Sequence, residues 1–181
     1  DGFMDSHGGA RGVKRLSTAV ALCAISMQKS QNLQHGAQMI PALDFYLAPY
    51  VRMSFLEHLE ETIETIGTLT ETEKETLRKR QVTEYIKKNT TVLEGKERAW
   101  QIAINKMVRE AKQSMEGFVH DLNLLTSRAG VQVPFSSVNL GTDFSAEGRI
   151  ITLALLEALE AGVGILKKTA IYPITVFKVK K

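Results

Sequence analysis

Cysteine is nearly absent from this chain: Cys23 stands alone among 181 residues. A single thiol excludes an internal disulfide framework and points to a reducing compartment. Set inside the apolar run AVALCAISM, it reads as a small core residue. Long apolar runs are lacking too. None approaches the roughly 18–20 residues that a membrane span requires, and no secretory leader opens the chain, so the sequence reads as soluble and cytoplasmic. The histidines His7, His35, His58 and His120 show neither the paired helical spacing nor the Cys/His pairing of a zinc site, so no metal site is expected within the chain. Neither a P-loop nor a G-x-G-x-x-G fingerprint occurs, which leaves helix N-termini, small polar side chains and scattered basic residues to hold any nucleotide. Around PFSSVN the glycines of a nucleophile elbow are missing, which disfavours a hydrolase built on Ser136 or Ser137.

What is present divides between helical and strand periodicities. The opening DGFMDSHGGARG has neither and reads as a loop. Ser17 is placed to cap a helix over Ala19–Gln31 that is apolar on nearly all sides, the pattern of a buried helix. A polar cluster follows, Asn32, Gln34, His35 and Gln38 about Gly36, which suits a structural network and a ligand pocket equally. Asp44 to Leu59 carries helical spacing, with Pro49 as a point of bending and Gly67 as a stop or interruption. On that helix His58 reads as a surface residue. Thr70 and Glu73 form a capping-box pattern ahead of a charged arm over 70–88.

From about Lys96 to Thr126, Trp100, Ile104, Met107, Ala111, Met115, Phe118, Leu122 and Leu125 recur at spacings of three and four, a continuous seam for another helix. Near its end His120 either donates to a backbone carbonyl or helps line a site. An apolar strand is expected over Val131–Val138, ending in a polar tip at Ser136, Ser137 and Asn139. Gly141-Thr142-Asp143 then leads into a helix capped by Asp143 or Ser145 and stopped near Gly162 and Gly164. A second β-rich run follows, Ile171 to Val179. Strand, helix, strand is a βαβ unit with parallel strands. Two parallel strands make no credible core, so the remaining strands are expected outside this chain or in a partner subunit. In open parallel sheets ligands sit at the carboxyl ends of strands, which makes the tip and Gly141–Asp143 a candidate anion site.

Charge adds little. The net value of +3 comes mostly from Arg11, Lys14 and Arg15 at one end and Lys178, Lys180 and Lys181 at the other. That is weak support for an anionic ligand, and no nucleic-acid or membrane partner is expected. The chain opens at Asp1 and closes on Val179-Lys180-Lys181 directly after a strand, the pattern of a processed chain or one cut from something longer.

The stretch MEGFVHDLNLLTSRAGVQVPFSSVNLGTDFSAEGR at 115–149, then LEALEAGVG and AIYPITVFKVK, resembles the central region of anaerobic (class III) ribonucleoside-triphosphate reductases. Upstream, STAVALCAISMQKSQNLQHGAQMIPALDFYLAPYVRMSF at 17–55 is similar to a helical segment of the same enzymes, including the Q-N-x-Q-H-G-x-Q and D-(Y/F)-x-x-A-P patterns. The resemblance weakens over Gly67–Gly95. It implies an α/β fold in which this chain is a mainly helical fragment of a ten-stranded α/β barrel of the glycyl radical enzyme type, with the βαβ unit in its C-terminal third. Residues 1–95 would form a helical dimer and effector region, and 96–181 the long helix and the barrel portion, all within one partial domain.

The same resemblance implies conversion of ribonucleoside triphosphates to deoxyribonucleoside triphosphates. A glycyl radical is formed by a separate radical-SAM iron–sulfur activating enzyme, and a cysteine thiyl acts on the ribose. It implies a homodimer with a dNTP or ATP effector at its interface, and a structural zinc site. The radical glycine, the thiyl cysteine and the zinc-binding cysteines have no counterpart here, so the chain alone is expected to be inactive. Ser136, Ser137 and Asn139 are then expected to contact substrate. The loop HGGARGVKR is expected to serve the effector through His7, Arg11, Lys14 and Arg15. It lacks the proline usual shortly before the serine, and GVGILKKTAIYP departs from the more common G-x-G-x-x-T-P-I-F-P form. A rival reading, from the seam alone, is a non-catalytic helical interaction or dimerisation module using 98–125 and the charged arm.

Overall fold

The computed structural model describes residues 4–5, 8–9, 12–34, 36–67, 69–79, 95–126, 130 and 132–179. Within the opening segment, expected to be a loop, a short antiparallel hairpin pairs β1 (Met4–Asp5) with β2 (Gly8–Gly9). Then come α1 (Leu16–Leu33), β3 (Gln38–Ile40), α2 (Leu43–Ile66), α3 (Glu71–Lys79), α4 (Gly95–Leu124), β4 (Ser136–Leu140), α5 (Ala146–Ala161) and β5 (Ile174–Phe177).

Helix α4 is the spine, packed against α1, α2, α3 and α5. Its seam from Trp100 to Leu122 is fully buried, and Trp100 meets Phe55 of α2 edge-on with ring centroids 4.7 Å apart. This corrects the rival reading of the seam as a surface for another subunit. Helices of the same chain already cover it, and only Leu125, just past the helix end, stays exposed.

Helix α1 corrects a second expectation. It buries one face, through Leu16, Ala19, Val20, Ala24, Met27 and Gln31, while Ala21 and Ile25 are exposed, so apolar composition all round does not here mean burial all round. Its N-cap is Arg15, with no side-chain cap, rather than Ser17. Helix α2 runs on through Pro49, which lies beyond its first turn and so leaves the Phe45 carbonyl without an i+4 backbone donor, and ends at Gly67 in the left-handed conformation with φ +66°. The capping box forms as expected: the Glu73 N–H donates to Thr70 Oγ1 at 3.4 Å and the Thr70 N–H to Glu73 Oε2 at 3.0 Å. Of the charged arm, 80–88 lies outside the described residues, and Leu77 is the buried anchor of α3.

β4 and β5 are parallel, as the βαβ pattern requires. A strand that sequence periodicity does not reveal, β3, pairs in parallel on the other side of β4, giving the order β3-β4-β5. One of the strands sought outside the chain is therefore inside it. β4 also starts and ends later than the expected Val131–Val138. Pro134 has no N–H to offer a ladder, and pairing begins where the Gln38 N–H donates to Phe135 O at 2.8 Å and Gln38 stands opposite Ser136.

Burial along β4 alternates, with Ser136, Val138 and Leu140 turned to the helices and Ser137 and Asn139 to the opposite face. Registered beside those two are Met39 of β3 and Ile174 and Val176 of β5, exposed by 59%, 46% and 52%. The sheet is thus covered by helices on one face and, among the described residues, open on the other. Among the described residues no helix is long and apolar enough to cross a membrane.

Truncating Phe118 to Ala in the centre of the α4 seam should lower unfolding stability by about 3–5 kcal/mol, read from urea midpoints. A change below about 1 kcal/mol would mean that α4 is not the core helix.

Candidate functional site

The carboxyl end of β4 is where a parallel sheet offers a ligand site, and there the backbone N–H groups of Gly141, Thr142 and Asp143 converge as an anion nest. The nest is already filled. Oδ2 of Asp44, a fully buried side chain in the first turn of α2, accepts all three N–H groups at 2.9, 2.8 and 3.0 Å. The expectation that Gly141-Thr142-Asp143 is free for a nucleotide is therefore corrected: an internal carboxylate takes the position of the anion.

Gly141 permits this geometry. It adopts φ +81°, and a Cβ there would come 2.5 Å from the carbonyl oxygen of Lys178, whose own N–H donates to Leu140 O at 2.8 Å. After the nest, Ser145 caps α5 by accepting the Gly148 N–H at 3.0 Å, and Asp143 holds Ser145 through its N–H at 2.9 Å and its hydroxyl at 2.8 Å.

The three side chains expected to meet substrate divide between the two faces. Ser136 is fully buried on the helix side, at the start of β4 rather than at a tip, because the strand runs on to Leu140. Ser137 and Asn139, two residues apart, stand together on the open face. Beside them Phe135 and Tyr172 meet edge-on, centroids 5.3 Å apart, on segments leading into β4 and β5. Asn123 of α4 fixes the second segment with both ends of its amide, donating to Tyr172 O at 2.6 Å and accepting from the Ile171 and Tyr172 N–H groups at 2.9 and 3.1 Å. Gln31 of α1 fixes the first by donating to Val133 O at 3.0 Å. Of the polar cluster expected after α1, Asn32 and Gln34 are exposed, Gln38 is buried in β3, and His35 lies outside the described residues. No common pocket forms from the described members.

Of the expected effector residues, His7 and Arg11 lie outside the described residues. Lys14 is exposed, and Arg15 is bonded to Glu57 of α2. Beside Arg15 a cleft of about 550 Å³ between α1, α2 and α4 is lined also by His58, Lys106, Arg109, Glu110 and Asp121. His58 is corrected from a surface residue. Its side chain is 17% exposed and its Nε2 lies 2.9 Å from Glu110 Oε2, while Glu110 Oε1 accepts the Ser17 N–H at 3.1 Å and the Ser54 hydroxyl at 3.3 Å. Burial raises the Asp121 carboxyl above its ordinary value, partly opposed by the charge of His120. Cys23 packs at the edge of the core, and burial pushes its thiol up to about 11. A thiol so placed is a weak nucleophile at neutral pH.

Sequence reasoning passed over Asp44, Glu110 and Asn123. Asp44 carried a visible signal, being the acid that opens the D-F-Y-L-A-P pattern in an otherwise apolar turn. Glu110 and Asn123 sit in polar company on a long helix and carried none.

A family model described as anaerobic ribonucleoside-triphosphate reductase matches residues 1–181. The chain belongs to that family. It is 28% identical over 168 residues to the anaerobic ribonucleoside-triphosphate reductase of Haemophilus influenzae, covering 93% of this chain and 20% of that protein. Against the Escherichia coli enzyme of the same name it is 25% identical over 167 residues, covering 92% and 19%. The Salmonella typhimurium enzyme gives 27% over 173 residues, with 92% and 19% covered. The chain thus spans about a fifth of the length of these curated relatives.

Two outcomes check the site as described. Asp44→Ala strands one buried and two part-buried N–H groups and should cost about 3–5 kcal/mol in unfolding stability, with fast amide exchange at 141–143, whereas Asp44→Asn keeps an acceptor and should cost less. Equal, small losses would contradict the nest. Iodoacetamide should label Cys23 slowly at pH 8, with a rate that climbs through pH 10; rapid labelling at pH 8 would contradict its burial.

Proposed function

We propose that this chain is the part of an anaerobic ribonucleoside-triphosphate reductase catalytic subunit that supplies one wall of the substrate chamber. The observation that carries this reading is the three-stranded parallel sheet, covered by helices on one face only, with Ser137 and Asn139 side by side on the other. Parallel sheets are normally covered on both faces, so a face left open among the described residues in a chain of this family supports continuation into a larger barrel. Ser137 and Asn139 offer one hydroxyl and one amide, suited to hydrogen-bonding and orienting the polar groups of a ribonucleoside triphosphate. Ser136, turned to the helices, supports the strand instead.

The radical chemistry belongs to other parts of the enzyme. Cys23, the one cysteine, sits on helix α1 packed at the edge of the core and not on the open face of the sheet, so it does not fit a thiyl-bearing residue and no radical step is assigned to this chain. On this reading the glycyl radical, its radical-SAM activating enzyme, the structural zinc and the thiyl cysteine lie outside this chain. Lys14 and Arg15, with Arg11 and His7, are proposed to meet the phosphates of a nucleotide effector at a homodimer interface, where guanidinium and ammonium groups match phosphate oxygens.

Substitution of Ser137 and Asn139 by Ala in the full-length enzyme, assayed anaerobically with its activating enzyme, should raise KM for ribonucleoside triphosphate about tenfold or more while the glycyl radical signal in electron paramagnetic resonance persists. Unchanged KM and kcat would remove these residues from the substrate face.

A further inference from the structure

Arg15 is already occupied. Its Nε donates to Glu57 Oε1 and Oε2 at 3.0 and 2.8 Å, its Nη2 is in close contact with Glu57 Oε1, and Nη2 also lies 3.7 Å from Glu61 Oε1. The bond to Glu57, reinforced by its charge, raises the guanidinium above its ordinary value and holds the Glu57 carboxyl below its own. Both side chains are nonetheless about half exposed, 50% and 40%. An ion pair so exposed is screened and weakly held.

The pair is also not needed to start α1. That task falls to the Ser54 hydroxyl, which accepts the Leu16 N–H at 2.8 Å, and to Glu110, which accepts the Ser17 N–H at 3.1 Å. With the helix start held independently, Arg15 is free to change partners. There is room on both sides of it: it lines the cleft shared with Lys106, Arg109 and Glu110, and a second of about 590 Å³ shared with Gly12, Lys14, Thr18, Glu57 and Glu60.

From this arrangement we infer that Glu57 is a built-in competitor for Arg15. An anionic group arriving at the 12–15 segment binds by exchanging with the Glu57 carboxylate, and Glu57 thereby sets the segment's affinity for anions. The inference rests on the effector reading of Lys14 and Arg15 given above. Carboxylate and phosphate present the same paired oxygen acceptors to the guanidinium fork, so binding of one displaces the other. Displaced, Glu57 returns to water at little cost because it is already partly solvated. Glu60 and Glu61 on the same helix have cations of their own, Arg78 at 3.4 Å and Lys106 at 3.5 Å, and keep them through the exchange.

The test is a calorimetric titration of the full-length enzyme with inorganic tripolyphosphate at low salt, in wild type, Glu57→Gln, Arg15→Ala and the double variant. Circular dichroism checks that each is folded, since both sites are on the surface. Glu57→Gln should bind about two- to fivefold tighter than wild type, the scale of an exposed ion pair. Arg15→Ala should bind more weakly, and Glu57→Gln should bring no gain in its background. Equal tightening in the Arg15→Ala background would make Glu57 a general repulsive charge and overturn the exchange. Binding by wild type that Glu57→Gln leaves unchanged would overturn it too, while sparing the effector reading. No heat from any of the four at millimolar tripolyphosphate would remove the effector reading itself, and the exchange with it.

Discussion

The buried carboxylate of Asp44 is the interaction on which the rest of the structure depends. It joins the first turn of α2 to the end of β4 and the approach to α5. A buried carboxylate is costly unless its oxygens are met by donors, and here three consecutive N–H groups meet one of them. Those same N–H groups have no ladder or helix partner of their own. Each side of the contact therefore offsets part of the other's desolvation cost, Oδ1 of Asp44 staying buried without a hydrogen-bond partner, and the position of the β4–α5 turn, with Ser137 and Asn139 just before it, follows from where α2 begins.

The same device recurs. Helix α1 has no side-chain cap of its own, and Ser54 of α2 and Glu110 of α4 supply one from a distance. The segment before β5 has no regular structure, and Asn123 of α4 satisfies its backbone. Side chains on the two longest helices thus complete the backbone hydrogen bonding of their neighbours, which lets α4 act as a spine through polar contacts at its margins as well as through its apolar seam. Because the helix starts are held this way, the Arg15–Glu57 pair is released from structural duty.

The parts of the fold that local chemistry dictates were legible in the sequence. A seam at spacings of three and four gave α4, the Thr70–Glu73 box gave the start of α3, and the two β-rich runs about a helix gave the parallel β4-α5-β5 unit. What stayed hidden depends on partners far away in sequence. β3 is three residues long and shows no period until β4 lies beside it. α1 reads as buried all round because composition does not say how many neighbours a helix has. The nest at Gly141–Asp143 looks like an open anion site until Asp44, 97 residues from Gly141, is seen to fill it. Ser136 and Ser137 look equivalent in sequence, and only the register of β4 assigns them to opposite faces.

Family membership, the half-covered parallel sheet and the coverage of about a fifth of the relatives' length together favour a wall of a larger chamber over a self-contained module. The measurement that tests this most directly is a structure of the full-length enzyme with a ribonucleoside triphosphate bound. Further strands should pair with the outer edges of β3 and β5, and the nucleotide should lie within hydrogen-bonding distance of Ser137 and Asn139. A face buried under packed side chains, with the nucleotide bound elsewhere, would contradict it.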